Sequence, residues 1–278
     1  MLFFLFFAIG YDAVIKHAYS WYLSSFLRGD IMPLSFLLGA NFLTALNSIV
    51  FAVLWICCGL ISSSNASQIN DLSVWKAELK KDAIAKGISE ATFDKALADF
   101  TPIERIIKLD RNQPEFTQTL DHYLAKRITN AKIARARELL EKHKVVLAQI
   151  SKYYKVQPRF IVTLWGLETN FGSYLGKYFV PHALATLAYD GRRGTFFRKE
   201  LLNALQILDE GHISLRDMKG GWAGAFGQAQ FLPSSFLNYA QDWDKDGRKD
   251  VWANEQDVFA SIAFYLSSAG WRDDFTWG

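Results

Sequence analysis

Cysteine is nearly absent from this 278-residue chain: Cys57 and Cys58 are the only two, side by side in an apolar run. The remainder therefore has no disulfide to form, which is permitted in an oxidising compartment but not diagnostic of one. Lipid attachment at Cys57 is disfavoured, because bulky Ile56 precedes it where a small residue is expected; the pair reads as buried apolar side chains. A strong excess of one charge is also missing. With 31 basic and 28 acidic residues the net charge is +3, so nothing argues for a nucleic-acid partner. The one Gly-rich stretch, "GGWAGAFGQAQFLPSS" at 220–235, has neither the Walker spacing nor its lysine, which excludes a phosphate cradle. No segment alternates well enough to be read as a strand, and there is no internal repeat.

What is present is strongly divided. Residues 1–66 carry only Asp12, Lys16, Arg28 and Asp30 as charges, and residues 31–61 carry none. A run longer than about 18 apolar residues can cross a bilayer. "SSSNAS" follows, and Ser64 and Ala66 match the small-residue spacing of a signal-peptidase site. Two readings stay open: a signal cleaved after Ala66, or an uncleaved anchor. The opening "MLFFLFFAIG" is unusual for a signal peptide, and Met32 offers an alternative start. Either way Lys16 and Arg28 favour the inner face, so 67–278 is expected to be one exported domain behind a 1–66 signal or transmembrane segment.

That body reads as mainly α. "LSVWKAELKKDAIAKG" predicts a helix stopped at Gly87, with Ser89 capping the next. "TPIE" predicts another start, with Thr101 as N-cap, Pro102 in the first position and Glu104 closing a capping box. "NAKIARARELLEKHKVVLAQISKYY" predicts a single long amphipathic helix with a basic solvated face. "GTFFRKELLNALQILDEG" and a helix from an Asn254 cap to Gly270 complete the set.

"PRFIVTLWGLETNFG" poses the chemical question. Pro158 suits a first helical turn and Gly172 a left-handed position just past the end. Ile161, Leu164, Trp165 and Glu168 then share one stripe. A carboxyl on a core-facing stripe is costly unless it is paired or used. Pairing would fall to Arg192 or Arg193 of "YDGRRG". Use would be as a general acid, kept protonated by apolar surroundings, able to protonate a glycosidic oxygen. Most glycosidases need a second carboxylate, and no partner is evident in sequence.

In "DWDKDGRKDVWANEQD", Asp242, Asp244, Asp246 and Gly247 reproduce the opening of an EF-hand loop, with the Arg248 carbonyl at the seventh position. Ala253 stands where a bidentate Glu should close the site, which leaves Asp257 to do so. The expected role is structural. A solvated acidic turn is the plain alternative.

"QPEFTQT", "WGLETNFG", "ATLAYDGRRGTFFRKELLNALQILDEG" and "WAGAFGQAQFLPSSFLNYAQDWDKDGRKDVW" together resemble the lytic murein transglycosylase B family, from about Trp75 to the chain end. The resemblance implies a lysozyme-like, mainly α catalytic domain with an EF-hand-like calcium loop, and no organic cofactor. It implies a periplasmic enzyme acting on peptidoglycan glycan strands, touching the membrane only through the apolar segment if that is uncleaved. Glu168 would be the sole acid/base, and the substrate's own acetamido and C6 hydroxyl groups would replace the missing carboxylate. Gln230 would face the glycan, Tyr265 would stack on a sugar, and Arg192 and Arg193 would line the cleft. Ordinary core is the other reading of Tyr265, and a turn-stabilising amide that of Gln230. Calcium would lie among Asp242, Asp244, Asp246, the Arg248 carbonyl and Asp257. Phe226 and Ala229 replace a common methionine and proline. Family members continue past the helix ending near Gly270, adding a tyrosine–asparagine pair to the cleft, so the chain looks shortened at Gly278. An impaired glycan-binding scaffold and a hydrolytic muramidase are the rival functions.

Overall fold

The computed structural model describes residues 72–112, 125 and 127–274. Cys57, Cys58, Ala66, the apolar run 31–61 and the "QPEFTQT" segment lie outside them. Among the described residues ten α-helices account for nearly all regular structure: α1 Leu72–Ala85, α2 Glu90–Ala96, α3 Glu104–Arg111, α4 Asn130–Lys142, α5 Lys144–Tyr154, α6 Pro158–Thr169, α7 Val180–Asp190, α8 Gly194–Asp209, α9 Pro233–Tyr239 and α10 Glu255–Ser268. Two-residue strands, β1 Tyr178–Phe179 and β2 Lys219–Gly220, pair antiparallel with Tyr178 opposite Gly220. This ladder was not anticipated, since two residues are too few to show alternation. None of the described helices is long and apolar enough to cross a membrane.

Local chemistry explains most boundaries. Ser89 caps α2 by accepting the Thr92 N–H at 3.2 Å, and Asn254 caps α10 through the Gln256 N–H at 3.0 Å. Two expectations fail. Thr101 and Pro102 do not start a helix: α3 begins at Glu104 behind an extended Ile103, without a side-chain cap. The Ile103 N–H instead donates to Thr186 Oγ1 of α7 at 3.1 Å, so a tertiary bond holds the strand-like lead-in. The stretch 130–154 is also not one helix. It breaks at His143 between α4 and α5, where the imidazole lies edge-on to Trp165 and Phe259 at 6.0 and 5.3 Å. Buried residues lie on both sides of the break, Leu139 on α4 and Leu147 and Ile150 on α5.

Helices α7 and α8 pack closely on each other, and α8 also carries α9. A second group places α6 against α4, α5 and α10. The core under α6 is aromatic and aliphatic, with Ile161, Trp165, Phe226, Phe231, Phe236 and Phe259 all fully or almost fully buried. The chain joining α8 to α10 closes this core with one short helix, α9, whose start is held by the buried Glu200 carboxylate accepting the Ser234 N–H at 2.8 Å.

Candidate active site

Glu168 stands in the last turn of α6. Pro158 occupies the first turn as expected, but the left-handed exit begins earlier than Gly172. Asn170, Phe171 and Gly172 all have positive φ, at 52°, 59° and 75°. Three consecutive left-handed residues reverse the chain immediately after Thr169. Two neighbours of Glu168 on the helix are firmly held. Trp165 is 1% exposed, ringed edge-on by Phe171 and Phe259 at 5.5 and 5.0 Å. Thr169 Oγ1 accepts the Gly172 N–H at 3.0 Å and donates to the Gln228 carbonyl at 2.9 Å. Glu168 itself is half-buried, with its Oε1 shielded from solvent.

The Gly-rich segment wraps this turn. The close approach that glycine permits here is made by the protein itself. At Gly172 a Cβ would lie 2.3 Å from Gln228 Oε1, and at Gly227 one would lie 2.7 Å from Val251 Cγ2. Gln230 has a positive φ of 48°, and its amide donates to the carbonyls of Gly227 at 3.0 Å and Leu175 at 3.3 Å. Phe226 stacks on Trp252 at 5.0 Å with an interplanar angle of 8°, a contact that gives the phenylalanine at this position a packing role. Tyr265 is half-buried, edge-on to Tyr239 at 5.0 Å and tilted on Phe231 at 6.1 Å; burial pushes its phenol above the usual range. Gln230 lies in the segment 226–231 and Tyr265 packs on its Phe231, while the same segment bonds the helix neighbours of Glu168, Trp165 and Thr169.

Arg192 and Arg193 converge elsewhere, on Asp110 at the end of α3. Arg192 Nε donates to Asp110 Oδ2 at 2.6 Å and its Nη2 to the Asp110 carbonyl at 2.7 Å; Arg193 bonds Asp110 Oδ1. Burial works to raise the Asp110 carboxyl, but the two guanidinium hydrogen bonds prevail and hold it below the usual carboxylate range. Asp110 was not foreseen, because nothing in "LDR" distinguishes a clamp from surface charge.

The acid-rich loop brings Asp242, Asp244 and Asp257 together, with one carboxylate oxygen from each within 4.8 Å of the others. Asp257, fully buried at the start of α10, accepts the Trp243 N–H at 2.7 Å and the Asp250 N–H at 2.8 Å. Burial pushes its carboxyl up to about 6, the two backbone donors oppose this, and the charges of Asp244 and Asp242 add to the rise. Asp246 is outside the trio and accepts the Arg248 N–H at 2.8 Å. Three oxygen donors converging from a 16-residue stretch, one of them desolvated beside two like charges, fit a hard cation. Cavities of about 450 and 380 Å³ flank Glu255 and Gln256, and neither is lined by Glu168, Gln230 or Tyr265.

Gln228 is the residue the sequence reading passed over. Its Oε1 accepts the Trp165 Nε1–H at 2.7 Å and its Nε2 donates to the Trp252 carbonyl at 3.0 Å. The available signal was a second amide beside Gln230 in a run otherwise of glycine, alanine and aromatics, where a buried polar side chain must find partners.

The fold and the sequence both have known counterparts. Residues 71–278 match the model of the transglycosylase SLT domain. The membrane-bound lytic murein transglycosylase B of Escherichia coli K12 is 28% identical over 220 residues, 76% of this chain and 58% of that protein. SltB3 of Pseudomonas aeruginosa, solved in complex with NAG-NAM-pentapeptide, superposes with a TM-score of 0.71 at 38% identity, over 74% of this chain and 55% of that one. The Escherichia coli lytic transglycosylase Slt35, solved in complex with calcium, gives 0.65 at 27% identity over 72% and 64%. This chain therefore spans somewhat over half the length of the relatives it matches. By sequence and by fold, it belongs to the transglycosylase SLT domain family.

Proposed function

We propose that this chain is a peptidoglycan lytic transglycosylase that cleaves the β-1,4 bond between N-acetylmuramic acid and N-acetylglucosamine and leaves a 1,6-anhydromuramyl end. The observation that carries the reading is Glu168: one shielded carboxyl in the last turn of α6, within a body matched throughout by the transglycosylase domain. Protonated Glu168 gives its proton to the glycosidic oxygen as the C1–O bond breaks. The muramyl acetamido oxygen stabilises the cationic C1. Glu168, now a carboxylate, removes the proton of the C6 hydroxyl while that oxygen bonds to C1, and the starting acid is restored. No water is consumed, and one carboxyl acts in both directions. Gln230 and Tyr265, tied to the segment beside Glu168, are the proposed glycan contacts. Arg192 and Arg193, which converge on Asp110, are the proposed contacts for a stem-peptide or lactyl carboxylate.

Calcium is the proposed cation for Asp242, Asp244 and Asp257, with Asp246 and the Arg248 carbonyl completing the shell. Bound there it neutralises the loop's converging charge and takes no part in the bond-breaking step. The proposed place of action is the periplasm, with residues 31–61 as the anchor or cleaved signal.

Digestion of purified murein by residues 67–278, followed by mass spectrometry of the products, tests the reading. Anhydro ends are expected. Reducing ends would make the protein a hydrolase, and intact glycan with retained binding would make it a scaffold.

A further inference from the structure

The described polar contacts of Gln228 reach two separate parts of the body, α6 and the stretch 251–252. Its side chain accepts from Trp165 on α6 and donates to Trp252, where the chain leaves the acid-rich loop. Its own N–H donates to the Val251 carbonyl at 2.8 Å, and its carbonyl accepts from Thr169. The side chain is not on the surface; the residue is 7% exposed. Trp165 lies three residues before Glu168 and Thr169 one residue after it, so Gln228 grips the last turn of α6 on both sides of the carboxyl. Held at two points, that turn is restrained against rotating about its axis and sliding along it, and either motion would displace the Glu168 carboxyl.

The amide chemistry suits this position. An indole N–H needs an acceptor and a peptide carbonyl needs a donor, and a glutamine offers both from one planar group. A glutamate would accept from Trp165 but would set a second acceptor against Trp252. A methionine of similar length would answer neither partner well.

We infer that Gln228 is a positioning residue for Glu168: it sets the register of the helix turn that carries the acid and ties that turn to Val251 and Trp252. This rests on Glu168 being the acid/base proposed above. Two proton transfers at different oxygens of one sugar demand close placement, and a displacement near 1 Å costs on the order of 10²-fold in rate.

The test measures kcat and KM separately for the full chain on a defined murein oligosaccharide, with melting temperature recorded for each variant. Gln228→Met is expected to lower kcat about 10- to 100-fold while KM stays within about twofold and the protein remains folded at the assay temperature. Thr169→Val is expected to lower kcat in the same way, and Thr169→Ser, which keeps the hydroxyl, to restore it. If Gln228→Met does not fold, the Thr169 pair decides. Wild-type kcat in Gln228→Met, a loss confined to KM, or no difference between Thr169→Val and Thr169→Ser would overturn the inference. Glu168→Gln separates the two readings. If it still cleaves, the acid assignment fails and this inference fails with it. If it is inactive while Gln228→Met turns over at the wild-type rate, only the positioning role is lost.

Discussion

The Gly-rich segment 220–232 and the acid-rich loop 242–257 are close in the chain and both replace long regular elements, yet they hold their shapes by opposite means. In the first, neutral dipoles are paired with one another: Phe226 and Phe231 exchange backbone hydrogen bonds at 2.9 and 3.0 Å, and Gln228 meets an indole and a carbonyl. In the second, backbone N–H groups turn toward carboxylates. Asp242 accepts from both Asp246 and Gly247 at 3.1 and 2.9 Å, and Asp257 closes the loop from beneath. The Gly-rich segment is electrically self-sufficient. The acid loop gathers like charges around a desolvated carboxyl, and its stability is open to a cation. On the proposed reading one region holds the reacting group still and the other is completed by a cation.

The comparison breaks most visibly at Glu168. Glu168→Gln should lower turnover by about 10²–10⁴-fold with little change in melting temperature, read from product formation beside thermal unfolding; full cleavage would remove the acid from the Gly-rich side. Next in size is Trp165→Ala. Emptying a fully enclosed aromatic site costs about 3–5 kcal/mol, so chemical denaturation should show a large loss of stability together with lost activity. A cation acts on the other region. At about one hundred times its Kd, calcium should add about 2.7 kcal/mol, and a body of this size gains about 2–4 °C per kcal/mol. A melting temperature unmoved by calcium or EGTA would make the acid loop self-sufficient as well. The smallest effect belongs to Asp110→Asn, expected to cost about 1–3 kcal/mol at neutral pH as charged hydrogen bonds to Arg192 and Arg193 weaken. Because the folded-state value is depressed, the stabilisation is present above the ordinary value of 3.8 and lost as pH falls through the folded one. The difference between Asp110→Asn and wild type should therefore shrink in acid, measured by urea unfolding at several pH values.

Where the deciding chemistry was local, the sequence was legible. Ser89 and Asn254 cap the helices their positions suggested, because an N-cap bond spans only two or three residues. The helical nature of the body follows from periodicity, and the placing of Glu168 beside Trp165 on one stripe follows from 3.6 residues per turn. The failures share a cause. Thr101 lost its capping role because Thr186, far along the chain, supplied a partner for Ile103. The break at His143 sits against rings on α6 and α10. The clamp on Arg192 and Arg193 comes from α3.

By itself the sequence determined a helical body, a carboxyl set among apolar residues near the end of one helix, and a loop with acids at alternate positions. Repeating side-chain periods and short-range hydrogen bonds carry that information. Only the tertiary structure decided that Gln228, not Gln230, would bind the indole beside that carboxyl, and that Arg192 and Arg193 would converge on Asp110. Those choices depend on where distant segments come to lie against one another, and a buried polar group takes whichever partner packing brings within reach.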